Sequence, residues 1–166
     1  SYPNCWRTDK PILYYPLDSW FIKVTEVRDR LTTLNQEINW KPKSTGEARF
    51  GNWLANANDW NLSRSRFWGI PLPVWRTEDG QQTKVIGSVA ELYQEIENSI
   101  RKGLMKTNPL AGFEVGNMSE TNYEKIDLHK HIVDGIVLSS EDGIPMHREK
   151  DLIDVWFDSG SMPYAQ

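Results

Sequence analysis

The 166 residues suffice for one average domain, or for one domain with an insertion, and 39% of them are hydrophobic. A formal net charge of −4, from 19 basic and 23 acidic residues, argues against a protein that holds nucleic acid by bulk charge alone. The single cysteine excludes an intrachain disulfide, and no run of about 18 apolar residues could span a membrane.

The two ends and the cysteine content predict the kind of molecule from which the chain comes. The chain begins without methionine and shows no signal peptide, and one cysteine is typical of a reducing compartment. We therefore expect a fragment of a soluble cytoplasmic protein that contacts no membrane. Seven of the eight tryptophans precede residue 76, which indicates two regions with different packing.

The first 75 residues mix strand and helix signals. Residues 1–24 hold three prolines and many aromatic or β-branched residues, which predicts short strands and turns. An apolar stripe from Val24 to Ile38 predicts a helix that ends near residues 39–42. Ser44 and Glu47 form a capping-box pattern before a second helical stripe over residues 50–57. The helix could continue into residues 59–68, whereas residues 70–75 hold two prolines and are predicted to be extended.

Local signals are clearer after residue 75. Residues 76–85 predict a hairpin with Asp79 and Gly80 at its turn. A second capping box precedes the clearest apolar stripe, and Gly103 is the predicted end of that helix; the pattern consists of Ser88, Val89, Glu91, Leu92, Tyr93, Ile96 and Ile100. Residues 104–125 predict a loop, and residues 131–147 predict two short strands separated by "SSEDG".

Cysteine and histidine are weak candidates for a metal site. A structural zinc site needs four ligands, usually in pairs, but the position three after Cys5 is a threonine. A structural thiol is the better interpretation. On a strand, His129 and His131 would share a face, but no carboxylate near them or near His147 stands at a recognisable zinc spacing. We interpret all three as surface histidines and predict no metal.

Arginines and aromatic residues are mixed in "DWNLSRSRFWG". Arg64, Arg66 and Trp68 could contact RNA or a nucleotide, because guanidinium groups bind phosphates and aromatic faces stack on bases. Composition alone favours a structural interpretation, in which the arginines cap a helix end and the aromatic residues are core.

The last stretch, "DLIDVWFDSG", is predicted to be the end of a buried strand. A tryptophan and an aspartate followed by Ser-Gly at the carboxyl end of a strand is where open α/β sheets place ligands. Trp156 and Asp158 are therefore candidate ligand contacts. A core tryptophan before a turn explains the pattern equally well.

Three stretches together resemble the isoleucyl-tRNA synthetases, which are class I aminoacyl-tRNA synthetases. They are "SYPNCWRTDKPILYY", "NWLANANDWNLSRSRFWGIPLPVW" and "DLIDVWFDSGSMPYAQ". Phe67-Trp68-Gly69-Ile70 and Val155-Trp156-Phe157-Asp158-Ser159-Gly160 depart from the valyl patterns. The chain contains neither His-Ile-Gly-His nor Lys-Met-Ser-Lys-Ser, the family's ATP-handling motifs.

The resemblance implies an α/β to α+β fold that forms part of a split Rossmann-type catalytic domain. Residues 1–75 would enter that domain after the editing insertion, residues 76–150 would be a connective insertion, and residues 151–166 would return to the domain. The full enzyme would bind isoleucine, ATP with Mg²⁺ and tRNA, and Trp156 and Asp158 would belong to the amino-acid pocket. No catalytic residue is expected within the fragment, which would be inactive alone and bind no cofactor.

Two other kinds of protein stay possible from the sequence. The chain could be a stand-alone RNA-binding module that uses Arg64, Arg66 and the neighbouring aromatic residues. It could also be a structural connective module, centred on the helix predicted at residues 88–104, that docks other domains.

Overall fold

The computed structural model describes residues 2–65 and 69–164, and the chain divides into two compact units. Unit 1 is Ser1–Asn61 and unit 2 is Leu62–Gln166. The division predicted from the sequence, with boundaries after residues 75 and 150, stays a prediction.

Unit 1 is built from short elements. They are β1 (Phe21–Ile22), a 3₁₀ turn (Val24–Glu26), α1 (Arg28–Asn35), a π-helical segment (Thr45–Phe50), α2 (Gly51–Ala55) and β2 (Trp60–Asn61). The helix predicted from Val24 to Ile38 is confirmed in its central part. Its apolar stripe is only partly buried, since Val27, Leu34 and Ile38 are exposed.

A helical segment begins after Ser44 as predicted, but the capping box is wrong. Ser44 already has helical backbone angles, and its side chain caps nothing. The buried side chain of Asn35 organises this region instead: its Nδ2 donates to the carbonyl of Gly46 at 3.0 Å, and its Oδ1 accepts from Trp40 Nε1 at 3.0 Å. A Cβ on Gly46 would lie 2.0 Å from the Trp40 ring, so this close approach requires glycine.

Residues 60–61 and 63–64 form short strands, so the predicted helical continuation is wrong over residues 59–65, and residues 66–68 of that prediction fall outside the described residues. β2 pairs antiparallel with β1, which places Asn61 opposite Phe21. The Asp59 carboxylate accepts hydrogen bonds from the amide and the hydroxyl of Thr25, at 3.0 and 2.7 Å, and these bonds hold the pKa of Asp59 below its ordinary value. Pairing with residues distant in the sequence therefore prevails over the local helical signal.

Unit 2 contains a four-stranded antiparallel sheet of order β5-β4-β7-β6. Its elements are β3 (Ser63–Arg64), β4 (Val74–Thr77), β5 (Thr83–Val85), α3 (Val89–Arg101), α4 (Glu120–Tyr123), α5 (Lys130–Val133), β6 (Val137–Ser139), β7 (Pro145–Arg148), β8 (Leu152–Ile153), α6 (Val155–Gly160) and a 3₁₀ turn (Met162–Tyr164). The core between sheet and helix includes Trp75, Ile96, Leu110, Leu138 and Met146.

The predicted hairpin and helix of residues 76–103 are confirmed. Asp79 Oδ1 accepts from Thr77 Oγ1 at 2.6 Å and from the Gln81 amide at 3.0 Å, and Gly80 follows with φ of +72°. At the start of α3, Ser88 Oγ accepts from the Glu91 amide at 3.1 Å. The Glu91 carboxylate reaches back to the Gly87 amide at 2.7 Å, one residue before the cap.

The segment after α3 is more ordered than its weak pattern predicts. Residues 104–125 contain the one-turn helix α4, and Leu110 and Phe113 join the core. Of the two strands predicted within residues 131–147, β6 and β7 are confirmed. Residues 131–133, however, lie in helix α5, which follows His129 in extended conformation.

The predicted mixture of helices and strands is confirmed, and the strand pairings described in both units are antiparallel. Within the described ranges, no helix is both long and apolar enough to cross a membrane.

Candidate functional site

The short strand β8 lies between two other segments of unit 2. On one side it pairs with β3, with Arg64 opposite Leu152 and Ser63 opposite Ile153. On the other side, the Ile153 amide donates to the Ile70 carbonyl at 2.8 Å, and Pro71 bridges to Leu152. The chain leaving β8 is therefore fixed from both sides.

Asp154 connects this strand to the helix that follows. Its amide donates to the Leu62 carbonyl at 2.8 Å, and its Oδ1 accepts from the Trp156 amide at 3.1 Å, as the N-cap of α6. Its Oδ2 accepts from Nη2 of Arg64. The side chain is only 7% exposed, so a carboxylate lies in a largely buried position between a strand and a helix.

Trp156 lies in the first turn of α6, and the prediction of a strand beyond residue 153 is wrong. Asp154 is a preferred N-cap residue with extended backbone angles, and it starts a helix at Val155. The Trp156 side chain is 72% exposed, and Val155 and Phe157 are also exposed.

Asp158 is exposed on the same helix but does not share a side with Trp156. Successive helical residues are rotated by roughly 100°, so two positions separate the side chains by about 200°. On a strand the two side chains would share one face. The helix therefore presents the indole and the carboxylate in different directions.

Arg64 lies beside Asp154, not at a helix end. Its Nη2 donates to Asp154 and its Nη1 donates to the Ser63 carbonyl at 2.8 Å. The other two residues of the predicted nucleotide contact, Arg66 and Trp68, fall outside the described residues. The role of all three in binding RNA or a nucleotide stays a prediction.

An open cleft of about 960 Å³ borders the segment that pairs with β8. Its lining residues are Gly69, Ile70, Pro71, Leu128, His129, Lys130, His131 and Asp134. Neither Trp156 nor Asp158 is among them. This cleft of the described chain therefore does not enclose the exposed indole.

The histidines are exposed, as predicted, but not on a strand. His129 lies immediately before α5, and His131 lies within it. Their ring centroids are 6.2 Å apart, and both approach the carboxylate of Asp127. Hydrogen bonds from the amide and the ring of His129 lower the pKa of Asp127. His147 lies on β7.

Cys5 lies in a tight turn and is partly buried. Its amide donates to the Lys10 carbonyl at 2.8 Å, and its carbonyl accepts from the amides of Thr8 and Asp9. Hydrogen bonds from Thr8 and from the backbone lower the pKa of the thiol. Among the described residues, no three His, Cys, Asp or Glu side chains come together in a way that could hold a metal ion.

A comparison with known families identifies the group to which these elements belong. The sequence profile of the tRNA synthetases class I (I, L, M and V) matches residues 8–166. The chain belongs to this family. The family predicted from the sequence is therefore confirmed.

The chain is similar to several isoleucine–tRNA ligases. Those of Bacteroides thetaiotaomicron and Bacteroides fragilis are 66% and 64% identical over 168 residues, and that of Porphyromonas gingivalis is 63% identical over 166 residues. Each alignment takes in 100% of this chain. The chain spans only 14–15% of the length of these curated relatives.

Two ion pairs in this synthetase chain, each with one buried partner, were not predicted from the sequence. One joins Arg64 to Asp154, and the other joins Arg148 to Asp134. Asp154 could have been found, because aspartate before a helical segment is a common N-cap. The pairings themselves link residues 90 and 14 positions apart, and no local pattern indicates either of them.

Proposed function

We propose that the full-length protein containing this chain is an isoleucine–tRNA ligase, which uses ATP and Mg²⁺ to activate isoleucine and then transfers it to tRNA. The observation that supports the proposal most strongly is the identity of 63–66% to isoleucine–tRNA ligases across the whole chain. The aligned region includes the β8–α6 segment, where the exposed indole lies.

Within that protein, residues 76–150 would form a connective insertion in a split Rossmann-type domain, and residues 151–166 would belong to the catalytic part. Trp156 would form one wall of the isoleucine pocket. A flat indole suits a saturated four-carbon side chain, because it offers dispersion contacts without polar groups. Its exposure supports this role, since the remaining walls would come from other domains of the same protein.

This chain does not carry the main elements expected to bind ATP and Mg²⁺. The described part brings together no set of three metal-ligating side chains, and the sequence holds neither ATP-handling motif of the family. These groups would be bound elsewhere in the full-length protein, in the cytoplasm, and the isolated chain would be inactive.

Isoleucine-dependent exchange between ATP and pyrophosphate tests the proposal. We expect exchange with the full-length protein and none with the isolated chain. Absence of exchange in the folded full-length protein would exclude the proposed function. Salt-dependent tRNA binding by the isolated chain would favour a stand-alone RNA-binding module instead.

A variant of the full-length protein tests the pocket wall. Trp156→Ala should lower kcat/KM for isoleucine by roughly tenfold to a hundredfold, because it removes a large apolar contact. Met118→Ala is a matched control, since it truncates a large side chain of similar exposure, 79%. An unchanged kcat/KM in Trp156→Ala would remove this residue from the pocket.

A further inference from the structure

Asp154 connects strand β3 to helix α6 at the candidate site. One carboxylate oxygen caps the Trp156 amide at 3.1 Å, and the other accepts from Arg64 on β3. The Asp154 backbone is held by the Leu62 carbonyl at 2.8 Å. The Asp154 side chain therefore fixes the direction of α6 relative to β3.

α6 has little ability to fix its own direction. It has six residues, and isolated helices shorter than about 12–15 residues are marginal in water. None of its residues is buried in the described structure. The Asp154 cap at the first turn of α6, where Trp156 lies, therefore contributes strongly to the orientation of the indole.

From this geometry we infer that Arg64 and Asp154 are positioning residues for Trp156, and that the pair sets the KM for isoleucine. The inference rests on the proposed function, because it assigns the pair to the same amino-acid pocket. Neither side chain needs to touch isoleucine. Their effect passes through the helix that presents the indole.

Arg64 has a specific part in this arrangement. A carboxylate that is only 7% exposed is costly unless it is paired, and Nη2 of Arg64 supplies the opposite charge. Nη1 of the same guanidinium is bonded to the Ser63 carbonyl, so the fork is anchored to the strand. Loss of this pair would weaken the hold on the Asp154 carboxylate, and the Trp156 amide that it caps would shift with it.

Small displacements of this kind have large effects on binding sites. A misplacement of about 1 Å can reduce activity by roughly a hundredfold, because the reacting groups lose their alignment. A pocket for an aliphatic side chain depends on close contact, so a tilted indole loses dispersion contacts on one side. The loss would appear in the interaction with isoleucine and not in that with ATP.

The test uses Arg64→Gln and Asp154→Asn in the full-length protein. Asparagine still accepts a hydrogen bond as an N-cap, so Asp154→Asn removes the charge and largely keeps the cap. In ATP–pyrophosphate exchange, we expect both variants to raise the KM for isoleucine on the order of tenfold, with the KM for ATP within about twofold of wild type. Arg64→Lys retains the charge and should recover part of the effect.

A double-variant cycle separates positioning from general destabilisation. If the pair acts through the indole, Arg64→Gln should have almost no further effect on the isoleucine KM in a Trp156→Ala background. Arg76→Gln is the matched control, because Arg76 also pairs with a carboxylate distant in the sequence, Glu149 at 3.3 Å. It should leave both KM values unchanged.

Three outcomes would overturn the inference while leaving the proposed function intact. They are an unchanged isoleucine KM in Arg64→Gln, equal and additive effects in the Trp156→Ala background, and a rise confined to the KM for ATP. The last would show that Arg64 contacts the nucleotide. A full-length wild-type protein without isoleucine-dependent exchange would contradict the proposed function itself.

Discussion

Arg148 lies buried against Asp134, and its guanidinium joins three segments of unit 2. Nε donates to Asp134 Oδ1 at 2.7 Å, and Nη2 donates to the same oxygen. Nη1 donates to the carbonyls of Leu72 and Asp151, at 3.1 and 3.0 Å. The side chain, 1% exposed, therefore fixes the start of β4 and the entry to β8 relative to the end of α5.

Replacing this arginine should destabilise the chain strongly. Arg148→Met keeps much of the side-chain volume but removes the guanidinium donor from the Leu72 and Asp151 carbonyls and from the Asp134 carboxylate, which retains Lys130 at 2.9 Å. We expect a loss of about 2–4 kcal/mol in the free energy of unfolding, measured with urea, because the hydrogen bonds of a buried charged side chain to three residues are lost. Arg76→Met, which breaks a more exposed pair, should cost less than about 1 kcal/mol. Equal losses in the two variants would show that burial of the arginine does not determine the loss in free energy of unfolding.

Asp134 should make the stability depend on pH. Partial burial alone raises its pKa, but hydrogen bonds from Lys130 and Arg148, together with their charges, outweigh that effect and hold the pKa below the ordinary value of 3.8. The folded chain thus binds this proton more weakly than the unfolded chain. The contribution is full above the unfolded pKa and is lost as pH falls through the folded pKa.

Asp134→Asn removes this dependence and supplies the measurement. At pH 7 the variant should be less stable than wild type by about 1–3 kcal/mol, a range that allows for the 37% exposure of the Asp134 side chain. The difference should shrink steadily as pH falls below the ordinary carboxyl pKa of 3.8. A difference that stays constant with pH would mean that the carboxylate charge contributes nothing.

How far the sequence predicts the structure depends on whether a signal is local. The Ser88 cap and the Asp79–Gly80 turn need only residues within five positions, and both are confirmed. Ser44 shows the same pattern, but the buried Asn35 and Trp40 impose a different backbone on it. Local patterns therefore predict elements well until a buried side chain from another element competes.

The candidate site illustrates the opposite case. The family resemblance pointed to Trp156, yet the strand predicted there ends at Ile153 and a helix presents the indole. The decisive group is Asp154, whose partner lies 90 positions earlier in the chain. Long-range pairs of this kind have no periodicity, so only the structure reveals them.

The backbone conformation that ends α3 should require glycine at position 103. Its φ is +76°, its amide donates to Ile100, and the next amide, of Leu104, donates to Ser99. These two bonds form a Schellman motif, whose left-handed residue is usually glycine. A Cβ there would meet nothing within 4 Å, so Gly103→Ala should cost about 1–2 kcal/mol from backbone strain alone.

Gly112 offers the matched control for that measurement. A Cβ at Gly112 would make only ordinary contact, with Lys125 at 3.5 Å, and its φ lies outside the left-handed region. Gly112→Ala should therefore change the free energy of unfolding by less than about 0.5 kcal/mol. A loss in Gly112→Ala as large as that in Gly103→Ala would argue against strain as the cause.

The fully buried side chain of Asn122 should organise the segment between α3 and α5. Its Oδ1 accepts from the Glu114 amide at 2.9 Å, and its Nδ2 donates to the carbonyls of Glu114 and Asn117, at 3.0 and 2.8 Å. Asn122→Ala removes all three bonds, and the Glu114 carbonyl alone keeps another donor, the Asn117 amide at 3.1 Å, so we expect a loss of about 2–3 kcal/mol in urea unfolding. Asn98→Ala, at a partly buried helical position, should change stability by less than about 0.5 kcal/mol. If both variants unfold at the same urea concentration, the segment is held by its apolar contacts, and the Asn122 hydrogen bonds are dispensable.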